Sequence, residues 1–206
     1  MNQKTVITVS AYYVITFMAT ACITSYISLY YSDIGLNNTQ IGIINAVMAA
    51  VAIFSQPLFG TISDKSERKN VILKIVILLS ALTTWLIPLA KHEFLAILAA
   101  TAIFSFFHST VNPLSDTIAI NLANSGGFMF SRVRMFGSLG FAIMSAAAAK
   151  VFSSNIGLIF TAYFVFRLLG YAMSFLLPTV HGYKNSVNQP SFMDLFKDKK
   201  LVIIYV

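Results

Sequence analysis

Six apolar blocks, each long enough to cross a bilayer and each followed by a short polar break, dominate this 206-residue sequence. A spanning helix needs roughly 20 mostly apolar residues, because the hydrocarbon core is about 30 Å thick and a helix rises about 1.5 Å per residue. The blocks cover residues 6–31, 41–62, 71–89, 94–123, 130–152 and 156–177, and a seventh apolar run starts at Leu201. The expected fold is all-α and membrane-embedded. Residues 1–177 form a six-transmembrane-helix bundle, 178–200 a cytoplasmic linker, and 201–206 the start of a seventh span that is cut short. The first block is too long for a signal-peptide core and no cleavage site follows it, so it is read as a retained span.

Composition leaves few alternatives. Hydrophobic residues make up 57% of the chain and charged residues 10%, against about 25% charged in ordinary soluble domains. Polar groups are too few to cover a water-facing surface, so lipid is the solvent. The net charge of +7 would suggest nucleic acid only if the basic residues shared one surface. Here they fall between the blocks, and no nucleic-acid partner is expected. Lys4, Lys65, Arg68, Lys69, Lys74, Arg132, Lys184, Lys197, Lys199 and Lys200 lie on one side, with Lys91 and Lys150 on the other. The positive-inside rule puts the first group, and with it the N-terminus, in the cytoplasm of a plasma-membrane protein. A lone cysteine, Cys22, excludes a disulfide within the chain and a Cys-based metal site, and no metal or organic cofactor is expected. From Pro178 to Pro190 the chain reads as a loose linker. Ser191 and Asp194 then resemble a capping box that opens a short interfacial helix with Phe192, Leu195 and Phe196 on its apolar side.

Polar residues inside the blocks carry the functional signal. Five are expensive in lipid: His108, Asn112, Asp116, Arg134 and Arg167. A buried Asp or Arg costs about 2.5–3.5 kcal/mol on insertion scales, so such groups face a cavity or a partner. At about 100° per residue, Ser105, His108, Ser109, Asn112, Ser115 and Asp116 fall within an arc of about 120° on the fourth block. The opposite arc carries Phe107, Val111, Leu114 and Ile118, and is expected to face lipid or packing. The polar arc is either a face for water and solute or a seam between helices. Asp116 lies about seven residues, roughly 10 Å, from the end of its block, and Arg134 is its expected counter-charge across the next loop. Arg167 sits too deep to snorkel and has no acid of its own. Either another part of the protein supplies one, or the cavity attracts an anion. His108 reads as a hydrogen-bonded structural residue or a proton carrier. The small residues Gly137, Ser138, Gly140, Ala142 and 145–149 are expected to let the fifth helix approach its neighbours. Tyr and Phe are assigned mainly to lipid contact and interfacial belts.

Between the second and third blocks the chain reads Gly60-Thr61-Ile62-Ser63-Asp64-Lys65-Ser66-Glu67-Arg68-Lys69. This resembles the major facilitator loop signature, Gly-x-x-x-Asp-(Arg/Lys)-x-Gly-(Arg/Lys)-(Arg/Lys). Gly60, Asp64, Lys65, Arg68 and Lys69 match, and Glu67 stands where the second glycine falls. The resemblance implies a latch in which Asp64, at a helix end, pairs with basic groups in one transport state and releases in another.

Pro113-Leu114-Ser115-Asp116, followed by Arg132-Val133-Arg134-Met135-Phe136-Gly137-Ser138-Leu139-Gly140-Phe141, is similar to the branch of that superfamily containing lactose permease and phenylpropionate permease. The match implies that Asp116 and Arg134 hold solute and that Asn112 lines the same cavity. Phe141 stands where the sugar permease places a stacking tryptophan, and the Gly-Ser-Leu-Gly-Phe run is closer to the phenylpropionate branch. With His108 and Arg167 on the same interior, these six residues form the expected solute site.

The chain is therefore expected to be the N-terminal half of a major facilitator. Its expected activity is proton-coupled uptake of a small polar solute, a sugar, an oligosaccharide or an aromatic carboxylate. The proton is the coupling ion and the C-terminal six-helix half the partner. Nothing in the sequence suggests an enzyme. An efflux antiporter is a second reading, but the fourth-span arginine and fifth-span Gly-Pro motif usual in drug exporters are missing. A truncated, non-transporting half or partner subunit is a third.

Overall fold

A computed structural model describes residues 3–90, 93–152 and 155–182. Within them the chain forms α1 (Gln3–Thr24), α2 (Ile27–Asp33), α3 (Asn38–Lys65), α4 (Lys69–Thr83), α5 (Leu86–Leu89), α6 (Phe94–Gly126), α7 (Phe130–Val151) and α8 (Leu158–Ser174), with no strand among the described residues. The first apolar block becomes α1 and α2, interrupted at Ser25 and Tyr26, and the third becomes α4 and α5. Four segments are long and apolar enough to span by length and composition alone: Gln3–Asp33, Asn38–Lys65, Lys69–Leu89 and Phe94–Gly126. The fifth and sixth expected spans are α7, which carries Arg132, Arg134 and Lys150 in its 22 residues, and α8, only 17 residues long. The interfacial helix expected from Ser191 and the seventh span lie outside the described residues.

Helix ends follow local chemistry. At the start of α3 the Asn37 side chain accepts from the Gln40 amide while the Gln40 side chain accepts from the Asn37 amide, a reciprocal capping box. This moves the helix start ahead of the expected Ile41. Gly35, with φ 92°, makes the turn that precedes it. Helix α6 continues to Gly126 and stops at Gly127, whose left-handed backbone (φ 65°) closes the helix. Asp116 is thus ten residues from the helix end, about 15 Å, deeper than expected.

Helix α1 is the central element and packs most extensively on α7 and α8, while α6 lies against α3 and α4. The buried side chains separate into two apolar clusters. One gathers Ile23, Tyr31, Phe104, Ile159 and Phe160, the other Val9, Leu73, Val76, Val111, Leu114 and Ile118. The arc of α6 opposite His108 therefore packs on protein rather than lipid, since Val111, Leu114 and Ile118 are all buried. Buried or half-buried polar side chains also come from α1, α6 and α8: Thr16, Thr20, His108, Asn112 and Arg167.

Candidate functional site

Asp116, on α6, and Arg134, on α7, meet at the core of the site. Arg134 Nη1 lies 3.5 Å from Asp116 Oδ1, and the two side chains remain 37% and 29% exposed. At that distance the contact is an ion pair without an aligned hydrogen bond, and Nη1 has no other hydrogen-bond acceptor. Helix α1 completes the arrangement. Tyr13 donates its hydroxyl to Asp116 Oδ1 at 2.6 Å. The Arg134 guanidinium lies over the Phe17 ring at 4.4 Å, and Tyr13 and Phe17 are stacked on each other. Tyr12 Oη and Ser115 Oγ are 2.7 Å apart one residue further round both helices.

Two glycines set this geometry. A Cβ on Gly140 would lie 2.7 Å from the Val14 carbonyl oxygen, and one on Gly137 3.0–3.2 Å from the Phe17 and Tyr13 rings. Only at glycine can α7 come this close to α1, and that approach brings Tyr13 and Phe17 beneath Asp116 and Arg134. The expected small-residue contact thus holds at Gly137 and Gly140, whereas Ser138 and Ala142 face outward and are exposed.

The other expected site residues distribute themselves along α6. Asn112, one turn from Asp116, is half-buried, and its Oδ1 is buried without a partner. His108 turns toward α8, with Nδ1 3.0 Å from Tyr163 Oη and 3.4 Å from Arg167 Nη2. Arg167 is 1% exposed. It donates to Thr20 Oγ1 at 3.3 Å and sits 5.0 Å from the centre of the Tyr163 ring. Its Nε and Nη1 have no partner, and no described carboxylate pairs with it. Phe141 is half-buried and packs against both apolar clusters. Asp116 and Arg134 are thus brought together, with Asn112 beside Asp116, and His108 and Arg167 form a second centre two helical turns away. Ser105 and Ser109, counted with the same polar arc, instead join a seam with α3: Ser105 donates to the Met48 carbonyl, and Ser109 Oγ lies 2.9 Å from Ser55 Oγ.

At the α3–α4 loop, Asp64 accepts from Lys69, whose side chain is buried. Gly60 lies within α3 with open space around it, and Lys65 and Arg68 are exposed. The chain leaving α8 docks on this loop, which differs from the loose linker expected from Pro178 onward. Asn70 donates to the Pro178 carbonyl at 3.0 Å and accepts from the Val180 amide at 2.8 Å. The Lys69 amide donates to the Val180 carbonyl, and His181 Nδ1 to the Glu67 carbonyl. A Cβ on Gly182 would collide with the Ser66 and Asp64 carbonyls, so the strap fits only with glycine there.

The sequence reading missed Tyr13 and Phe17. Hydropathy assigns tyrosines mainly to lipid contact and interface, yet Tyr12, Tyr13, Tyr31 and Tyr163 are all at most 1% exposed. Tyr13, Thr16, Phe17 and Thr20, at steps of three and four, mark one face of α1, and that periodicity was the available signal.

Residues 6–205 match the family described as MFS_1 like family. An uncharacterized transporter of Bacillus subtilis (strain 168), YwbF, is 30% identical over 144 residues, which cover 68% of this chain and 35% of that protein. A maltose permease of Geobacillus stearothermophilus is 29% identical over 170 residues, covering 81% of this chain and 43% of the permease. A crystal structure of the nucleoside transporter NupG (D323A mutant) superposes with a TM-score of 0.81 at 18% identity, covering 97% of this chain and 52% of that one. The chain therefore spans about half or less of the length of the proteins it matches, and its fold is that of one half of such a transporter.

Proposed function

We propose, on the premise that this chain belongs to the MFS_1 like family of membrane proteins, that it forms the N-terminal half of a secondary transporter that takes up a neutral sugar with a proton across the plasma membrane. The observation that carries the reading is the Asp116–Arg134 pair, accessible, loosely joined and held from below by Tyr13 and Phe17. A carboxylate beside a guanidinium has no net charge and presents acceptors next to donors. A sugar hydroxyl both donates and accepts, so neighbouring hydroxyls satisfy Asp116 and the exposed part of Arg134 together. An aromatic carboxylate needs a cation without a committed acid. Arg134 already has Asp116, and Arg167 is closed off. The similarity to a maltose permease supports the same solute class.

The mechanism follows from this placement. Solute bridges α6 and α7 beside α1, and rocking of this half against a second six-helix half exposes the site to each side in turn. The Asp64–Lys69 contact, with the 178–182 strap fixed beside it, is the cytoplasmic latch. We assign the coupled proton to neither Asp116 nor His108, because Arg134 and Tyr13 engage the first and Arg167 the second.

Uptake of radiolabelled maltose into vesicles containing the full-length protein tests the reading. An imposed inward proton gradient is expected to drive accumulation, an uncoupler to abolish it, and Arg134→Ala to remove it. Accumulation that survives Arg134→Ala, or that an aromatic acid but no sugar displaces, overturns the proposal.

A further inference from the structure

His108 and Arg167 form a second polar centre in the bundle, and their contacts bear on which ring nitrogen of His108 carries hydrogen. Arg167 can only donate hydrogen bonds. Its Nη2 approaches His108 Nδ1 at 3.4 Å, and Tyr163 Oη lies 3.0 Å from the same nitrogen. The cationic guanidinium beside Nδ1 favours a ring with its lone pair there, shared between Arg167 and Tyr163, over one with a hydrogen there. A doubly protonated ring has no acceptor at all and is disfavoured beside the same guanidinium. The favoured form is a neutral imidazole with its hydrogen on Nε2.

The surroundings hold that orientation. The ring stacks on Phe104 at 4.9 Å, and Arg167 is itself anchored by Thr20, whose hydroxyl donates onward to the Thr16 carbonyl. His108 is half-buried, and no described residue takes Nε2. It lies on the arc of α6 that carries Asn112, with its unpartnered Oδ1, and Asp116. Eight residues separate His108 from Asp116, about 12 Å along the helix. That is too far for one sugar ring to reach both.

We infer that His108 is a specificity-determining residue that presents a fixed Nε2–H donor to the second ring of a disaccharide whose first ring is held at Asp116 and Arg134, with Arg167 as the positioning residue that holds His108 in the donating form. The inference rests on the sugar reading of the site. It adds that solute length is measured along α6, and it gives the buried guanidinium a role that requires no contact with solute.

Two measurements on the full-length protein in bilayers test this. Nitrogen NMR of histidine-labelled protein, with the His108 signal identified by its loss in His108→Gln, reads the ring directly. A neutral ring protonated at Nε2 is expected at neutral pH. A ring protonated at Nδ1, or at both nitrogens, overturns the inference whether or not the protein transports sugar. The second measurement is the ratio of maltose to glucose affinity. His108→Gln keeps an N–H near the Nε2 position and is expected to preserve the ratio, whereas His108→Ala lowers it about tenfold, the worth of one hydrogen bond. Arg167→Met is expected to raise the maltose KM with turnover at saturation unchanged, and Arg167→Lys to recover part of the loss. A His108→Ala protein with an unchanged ratio overturns the inference even if Arg167→Met fails to fold. A parent protein that binds neither sugar sinks the underlying reading and this one with it.

Discussion

Tyr13 donates its hydroxyl to Asp116 Oδ1, the same oxygen that Arg134 approaches, so one carboxylate oxygen carries both contacts and no described residue engages Oδ2. Tyr13→Phe keeps the ring stacked on Phe17 and removes only this hydrogen bond. A hydrogen bond to a charged group is worth about 1.5–3 kcal/mol, and part of it is recovered by water at a site this exposed. Maltose affinity measured by equilibrium binding is expected to fall about tenfold. Unchanged affinity would mean that Tyr13 does not orient Asp116.

Arg134 is held through the shape of its side chain as well as its charge. Its planar head lies over Phe17 while one nitrogen reaches Asp116. Lysine supplies a point charge without the flat stacking surface or the fork of donors. Arg134→Lys is therefore expected to insert and fold normally but to bind solute about tenfold more weakly. Wild-type binding by the lysine variant would show that charge alone is required.

The approach of α1 to α7 can be tested at Gly140. A methyl group there meets the Val14 backbone, which cannot rotate away as a side chain can. Overpacking of this kind costs about 1–3 kcal/mol, so Gly140→Ala is expected to lower the apparent melting temperature in detergent and to weaken solute binding by displacing Tyr13 and Phe17. Ser138→Ala, on the exposed side of the same helix, is the control and is expected to change neither. Equal effects from the two substitutions would remove the close approach as the cause.

Asn70 ties the segment leaving α8 to the start of α4 with two hydrogen bonds and is buried. Asn70→Ala leaves the Val180 amide without its acceptor, at a cost of about 1–3 kcal/mol. The expected result is faster labelling of a cysteine placed at Thr179, with Asp116 and Arg134 still able to bind solute. Labelling at the parental rate would show that the Lys69–Val180 backbone bond holds the strap by itself.

Charge and hydropathy read along the chain reach some features and miss others. The Asp116–Arg134 pair was legible because charges deep in apolar blocks need partners, and only one acid was available. Deeper placement of Asp116 was not, because the α6 end is set by the left-handed backbone at Gly127, beyond where hydropathy fades. The polar residues of the α6 arc divide among its neighbours. Ser105 and Ser109 turn to α3, His108 to α8, and Ser115 and Asp116 to α1.

The sequence by itself determined the six apolar blocks, the basic loop around Asp64, and the short list of side chains that lipid will not accept unpartnered. These follow from solvation, which acts on each residue according to its own chemistry and needs no knowledge of neighbours. Only the tertiary structure decided that Tyr13 and Phe17 support the ion pair, that Arg167 is enclosed by Thr20, His108 and Tyr163, and that the chain after α8 straps onto the α3–α4 loop. Those facts depend on which helix faces lie against which, and that is set by fits such as Gly140 against Val14, made between residues far apart along the chain.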